Sequence, residues 1–76
     1  MREKELCAVV TFHTTAEAMA AEKRCAAAGI PGRLFPAPRG VSADCGIAWR
    51  SPAALREKLE EALRGIETAG ICEMTL

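Results

Sequence analysis

The chain has 76 residues, with ten lysines and arginines against ten aspartates and glutamates, so it is formally neutral with the single histidine uncharged. One small domain of this size, residues 1–76, buries only about 60–65% of its unfolded surface and has no room for a deep substrate cavity beside an independent core. Balanced charge spread along helix faces argues against a nucleic-acid partner, because no basic stripe exists to track phosphates.

The charged start, residues 1–5, leads into an apolar run of about seven residues. That is too short for a signal-peptide core or a membrane span, so a cytoplasmic protein with no membrane contact is expected. The run itself, residues 6–12, is rich in strand formers and suits a buried central strand. Thr14 and Glu17 then supply a capping box for a helix running to Gly29, with Ala18, Ala21, Cys25 and Ala28 as its inward stripe. Gly29 is the expected C′ residue, and residues 32–35 read as a second strand stopped by Pro36 and Pro38.

A loop over residues 36–44 follows, and residues 45–50 form a third strand. Ser51 and Pro52 stand in the favoured order for a helix N-cap and first turn. Leu55, Leu59, Ala62, Leu63 and Ile66 continue as an amphipathic face, Gly70 breaks the chain, and residues 71–76 make a last strand. Both helices lead into Ala-Gly-Ile, at residues 28–30 and 69–71, which suggests a pseudo-repeat of a split βαβ unit. The predicted fold class is α+β, a ferredoxin-like βαββαβ domain: a four-stranded antiparallel sheet in spatial order 4-1-3-2 with two helices on one face. Right-handed crossovers are expected to set strands one and three side by side and parallel, leaving the opposite sheet face open for a partner such as a second copy of the chain.

The four cysteines, Cys7, Cys25, Cys45 and Cys72, are separated by 18, 20 and 27 residues. With no Cys-x-x-Cys and a distant histidine, neither a zinc site nor any other cofactor is expected, and in the cytosol the residues are thiols rather than disulfides. Cys7, Cys25 and Cys72 fall inside periodic apolar segments, where cysteine behaves as a small hydrophobe. Cys45 differs, standing between Asp44 and Gly46 after a loop that carries Arg39, Gly40 and Ser42. Arg39 and the backbone N–H groups near Gly40 and Gly46 could stabilise a thiolate, whereas Asp44 opposes it. The parallel arrangement puts the start of strand three about 15–20 Å from His13, which disfavours a histidine base or a helix dipole as activator. It also brings Cys7 beside Cys45, where it could resolve a mixed disulfide, although a packing role is the simpler reading. Trp49 reads as core or interface filler on the same strand face as Ile47 and Cys45.

Residues 11–15, Gly29-Ile30-Pro31-Gly32-Arg33-Leu34, Pro36, Pro38-Arg39, Ser42 and Cys45-Gly46 together resemble the selenium/sulfur carrier protein-like family of small bacterial domains. The resemblance spans about residues 8–74, and its most specific part is the Pro-Arg…Ser-x-x-Cys-Gly segment. It implies a cytosolic carrier, not an enzyme, whose Cys45 holds sulfur or selenium as a persulfide or selenosulfide between a donor and an acceptor protein. His13, Arg33 and Ser42 are candidate binding residues. The chain lacks the Cys-Pro-x-Pro motif and the C-terminal Gly-Gly of other sulfur carriers. The alternatives are a regulatory or assembly module that dimerises or binds a small ligand on its open sheet face with Cys45 structural, and a redox-sensing thiol.

Overall fold

A computed structural model describes residues 5–37 and 46–75. The elements run β1 (Leu6–Thr11), α1 (Thr15–Ala28), β2 (Arg33–Pro36), β3 (Ile47–Pro52), a 3₁₀ turn (Ala53–Leu55), α2 (Arg56–Ala62) and β4 (Gly70–Thr75). The four strands form one sheet in the order β2-β3-β1-β4, with every neighbouring pair antiparallel. Read from the other edge this is the expected 4-1-3-2.

The central pair departs from expectation. β1 and β3 are antiparallel, with Cys7 opposite Pro52 and Thr11 opposite Ala48. Each helix connects two strands that run the same way but are not neighbours, and each leaves a gap of one strand. The short β2-to-β3 connection reverses the chain, so β3, which fills the gap between β2 and β1, must oppose both.

β1 is nearly continuous in burial, with Cys7 to Thr11 all buried. Ala8, Val10 and the following Phe12 join Ala18, Ala21 and Cys25 of α1, Ile30, Trp49 and the α2-side residues Leu59 and Leu63 in one core. Small residues on α1 let it lie close to the sheet. Ala28, expected on that stripe, is exposed; the helix is closing there and Ile30 takes over the inward position. The closure is a Schellman motif: Gly29, at φ 74, donates to the Ala26 carbonyl and Ile30 N–H reaches the Cys25 carbonyl at 2.9 Å.

The start of α1 is as predicted, with a shift in detail. Glu17 N–H donates to Thr14 Oγ1 at 3.2 Å, while the Glu17 carboxylate receives the His13 N–H at 2.7 Å, one residue earlier than the usual reciprocal bond.

The second helix is shorter than its pattern. Ser51 and Pro52 belong to β3 and are not a cap: the buried Ser51 hydroxyl accepts the Trp49 indole N–H at 2.6 Å. Leu59 and Leu63 are buried as expected, whereas Leu55 lies in the 3₁₀ turn and is only half-buried. Gly65, at φ 89, and not Gly70, reverses the chain after α2. Gly70 is the first residue of β4 opposite Thr11, so the two Ala-Gly-Ile triplets occupy different places and do not mark equivalent positions of the two βαβ halves. Arg24 of α1 donates to the carbonyls of Ala62 and Arg64 at 3.2 and 3.3 Å, capping the end of α2.

Candidate functional site

The segment singled out by sequence is anchored by described residues even where it is not itself described. Cys45, Arg39, Gly40 and Ser42 lie outside the described residues. The two ends of that connection are tied together, since Ala37 N–H donates to the Gly46 carbonyl at 3.0 Å. Gly46 is exposed and has φ 76, a left-handed conformation that glycine adopts without strain.

The antiparallel register decides what surrounds this anchor. Ala48 pairs with Thr11, so the N-terminal end of β3 lies at the edge where β1 hands over to His13 and the first turn of α1. The expected separation of about 15–20 Å between the start of strand three and His13 rested on parallel strands and is therefore overturned. Gly46, His13 and the N-terminus of α1 share one end of the sheet.

The same register removes Cys7 from that end. Cys7 pairs with Pro52, at the far end of β3 and five residues from Ile47, about 16 Å along the strand. It cannot serve the start of β3 as a resolving thiol. Its Sγ instead donates to the Glu5 carbonyl and accepts from Arg50 Nη2, both at 3.6 Å, and it is 2% exposed. Cys25 is fully buried against the sheet, and burial pushes its thiol pKa up. Cys72 is half-buried on β4. Trp49 and Ile47 pack on the helix side of the sheet, as their spacing implied.

Arg33 falls elsewhere. It is exposed on the sheet face away from the helices, directly opposite Arg50 on the neighbouring strand. That face is not bare apolar sheet, because Cys7, Val9, Thr11 and Ala48 on it are all buried. Arg50 stretches across it, with its guanidinium carbon 5.6 Å from the Phe35 ring centre and Nη2 at the Cys7 thiol. The sequence reading missed Arg50 altogether. Its period-2 position opposite Arg33 could be found only with the β2–β3 register in hand.

Among the described residues, then, the candidate positions divide between two ends of the sheet: Gly46 and His13 at one, and Arg33, with Cys7 and Arg50, toward the other. The described residues form a small two-layer α+β domain with a four-stranded antiparallel sheet and two helices. Residues 7–73 match the model of the family described as "Putative Se/S carrier protein-like", and the chain belongs to that family. No curated protein and no solved structure matches the chain. No helix among the described residues is long and apolar enough to cross a membrane.

Proposed function

We propose that the protein is a cytoplasmic, stoichiometric carrier of sulfane sulfur or reduced selenium, with Cys45 as the carrying thiol. The observation that carries this reading is the family match over residues 7–73, which includes the Cys45-Gly46 pair. The arrangement of elements supports a ferredoxin-like frame in which two split βαβ units interlock, and it leaves the start of β3 near the N-terminus of α1.

In the loading step the Cys45 thiolate attacks the outer sulfur of a donor protein's persulfide. A sulfur–sulfur bond forms at Cys45, the donor's own sulfur–sulfur bond breaks, and the donor leaves as its thiolate. No oxidant is consumed, since the outer sulfur moves as a neutral atom between two thiolates. A selenium atom on a donor thiol moves in the same way. Unloading repeats the exchange with an acceptor thiol.

Two features of the described structure favour Cys45 over its rivals. Cys7 and Cys25 are buried, and a thiol must be both ionised and reachable to exchange. The positive end of α1 lies at the edge from which the Cys45 segment emerges, where it would favour an anionic sulfur. Timed iodoacetamide labelling of the native protein with peptide mapping tests the reading: Cys45 reacts first. Earlier labelling of Cys7, Cys25 or Cys72 would remove the chemical basis of the proposal.

A further inference from the structure

The groove at the other end of the sheet combines features that a purely structural surface does not need. Arg33 and Arg50 are direct partners across β2 and β3 and project on the same face. Like charges so placed are destabilising, and a carboxylate normally relieves them. Among the described residues no carboxylate pairs with either arginine; the recorded ion pairs belong to Arg56, on the other side of the sheet. Arg50 is only partly exposed, and of its five N–H donors the described contacts use one, on a sulfur, which is a weak acceptor. The contact with the Phe35 ring, 5.6 Å from guanidinium carbon to ring centre, satisfies none of the remaining donors.

Arg33 and Arg50 line an open groove of about 410 Å³ together with Glu5, Cys7 and Gly32. Its volume falls in the range of small-ligand sites, about 300–1,000 Å³.

We propose that this groove binds a compact oxyanion of charge −2, of the tetrahedral type shared by sulfate, selenate and phosphate, held between the Arg33 and Arg50 guanidinium groups. Two planar donor forks meeting from adjacent strands suit such an ion, because each can give paired N–H bonds to two of its oxygens. The bound dianion relieves the repulsion between the arginines. Glu5, at the rim, opposes it and limits affinity. The proposal does not depend on the carrier reading: a Cys45→Ser variant keeps this binding whether or not it loses sulfur loading.

The test is a titration of the full chain with sodium sulfate, sodium selenate and sodium phosphate at constant ionic strength in a chloride buffer, followed through the arginine Nε–Hε resonances. Saturable shifts confined to Arg33 and Arg50 are expected. Arg33→Gln and Arg50→Gln should each weaken binding at least about tenfold, the equivalent of about 1.4 kcal/mol. Glu5→Gln should tighten it. Arg56→Gln, which removes a cation already paired with Glu60 and Glu73, should leave it unchanged. Arg50→Lys keeps the charge but loses the fork, and an intermediate loss in that folded variant guards against misreading an unstable Arg50→Gln protein. Comparable binding of sulfate and selenate supports the shared-geometry claim, and binding of only one of these two would overturn it. Shifts that rise linearly without saturation, or binding unaltered in both glutamine variants, would overturn the proposal. So would a groove that ignores all three ions yet binds a glutamate-rich peptide.

Discussion

Replacing Gly32 by alanine probes the packing between β2 and β3 at its tightest point. A Cβ at residue 32 would stand 2.3 Å from the Arg50 carbonyl oxygen, 2.7 Å from Ser51 Oγ and 2.7 Å from Trp49 Cζ2. The first of these atoms is backbone in the strand that β2 pairs with, so relief requires the strands to part. Ser51 Oγ accepts the Trp49 indole N–H at 2.6 Å and Cζ2 is a carbon of the same ring, so moving either away disturbs that bond inside the core. Overpacking of this kind costs about 1–3 kcal/mol, and stranding the indole N–H or its acceptor adds about 1–3 kcal/mol. A loss of about 2–6 kcal/mol is a large share of the roughly 4–11 kcal/mol expected for a domain of this length. The melting temperature should fall by roughly 10 °C or more. Trp49 is the sole tryptophan, so its fluorescence during urea or thermal unfolding reports directly on the altered site. Gly46→Ala is the control, since among the described residues a Cβ there meets nothing within 4 Å, and left-handed strain costs about 1–2 kcal/mol. If Gly32→Ala loses no more stability than Gly46→Ala, the close packing of β2 on β3 is wrongly drawn.

Leu59 is fully buried between α2 and the sheet, and Leu59→Ala should cost about 2–5 kcal/mol in denaturant melts; a loss below about 1 kcal/mol would show that α2 is misplaced. Thr14→Ala removes the acceptor for the Glu17 N–H and should cost about 1 kcal/mol, with no such loss for the exposed Thr15→Ala. Because burial raises the Cys25 pKa, the folded state holds this proton where the unfolded chain releases it. The stabilisation is therefore complete below the ordinary thiol pKa of about 9 and is lost as pH rises from there through the folded value, with a slope of at most about 1.4 kcal/mol per pH unit. Cys25→Ala should flatten that alkaline decline in stability, and an unchanged slope would assign it to another group.

Local grammar was legible in the sequence wherever one interaction decides the outcome. The Thr14 cap, the Gly29 closure and the stripe of Ala18, Ala21 and Cys25 follow from spacing alone, and the strand order followed from the alternation of elements. Errors arose where two local preferences compete for the same residue. Ser51-Pro52 has the form of a helix start, but the Ser51 hydroxyl is claimed by Trp49, a partner on its own strand face that cap statistics ignore. Likewise Gly70 reads as a chain break by type, but the reversal falls at Gly65 because Gly70 is needed in β4 opposite Thr11. Strand direction had the widest effect on the site. Treating the central strands as parallel moved the start of β3 to the wrong end of the sheet, separating it from His13 and joining it to Cys7. The Arg33–Arg50 pair was hidden for the same reason, since cross-strand partners depend on register and not on spacing within either strand.

The central claim, that Cys45 carries the chalcogen, is tested most directly by intact-mass and peptide-mapping analysis of the full chain purified without reductant and then exposed to a donor persulfide. The account predicts one added sulfur atom, mapped to the Cys45 peptide, removed by thiol reductant, absent from Cys45→Ser and retained in Cys7→Ser. An adduct that persists in Cys45→Ser, or a wild-type protein that takes up no sulfur or selenium from any persulfide or selenosulfide donor, would contradict it.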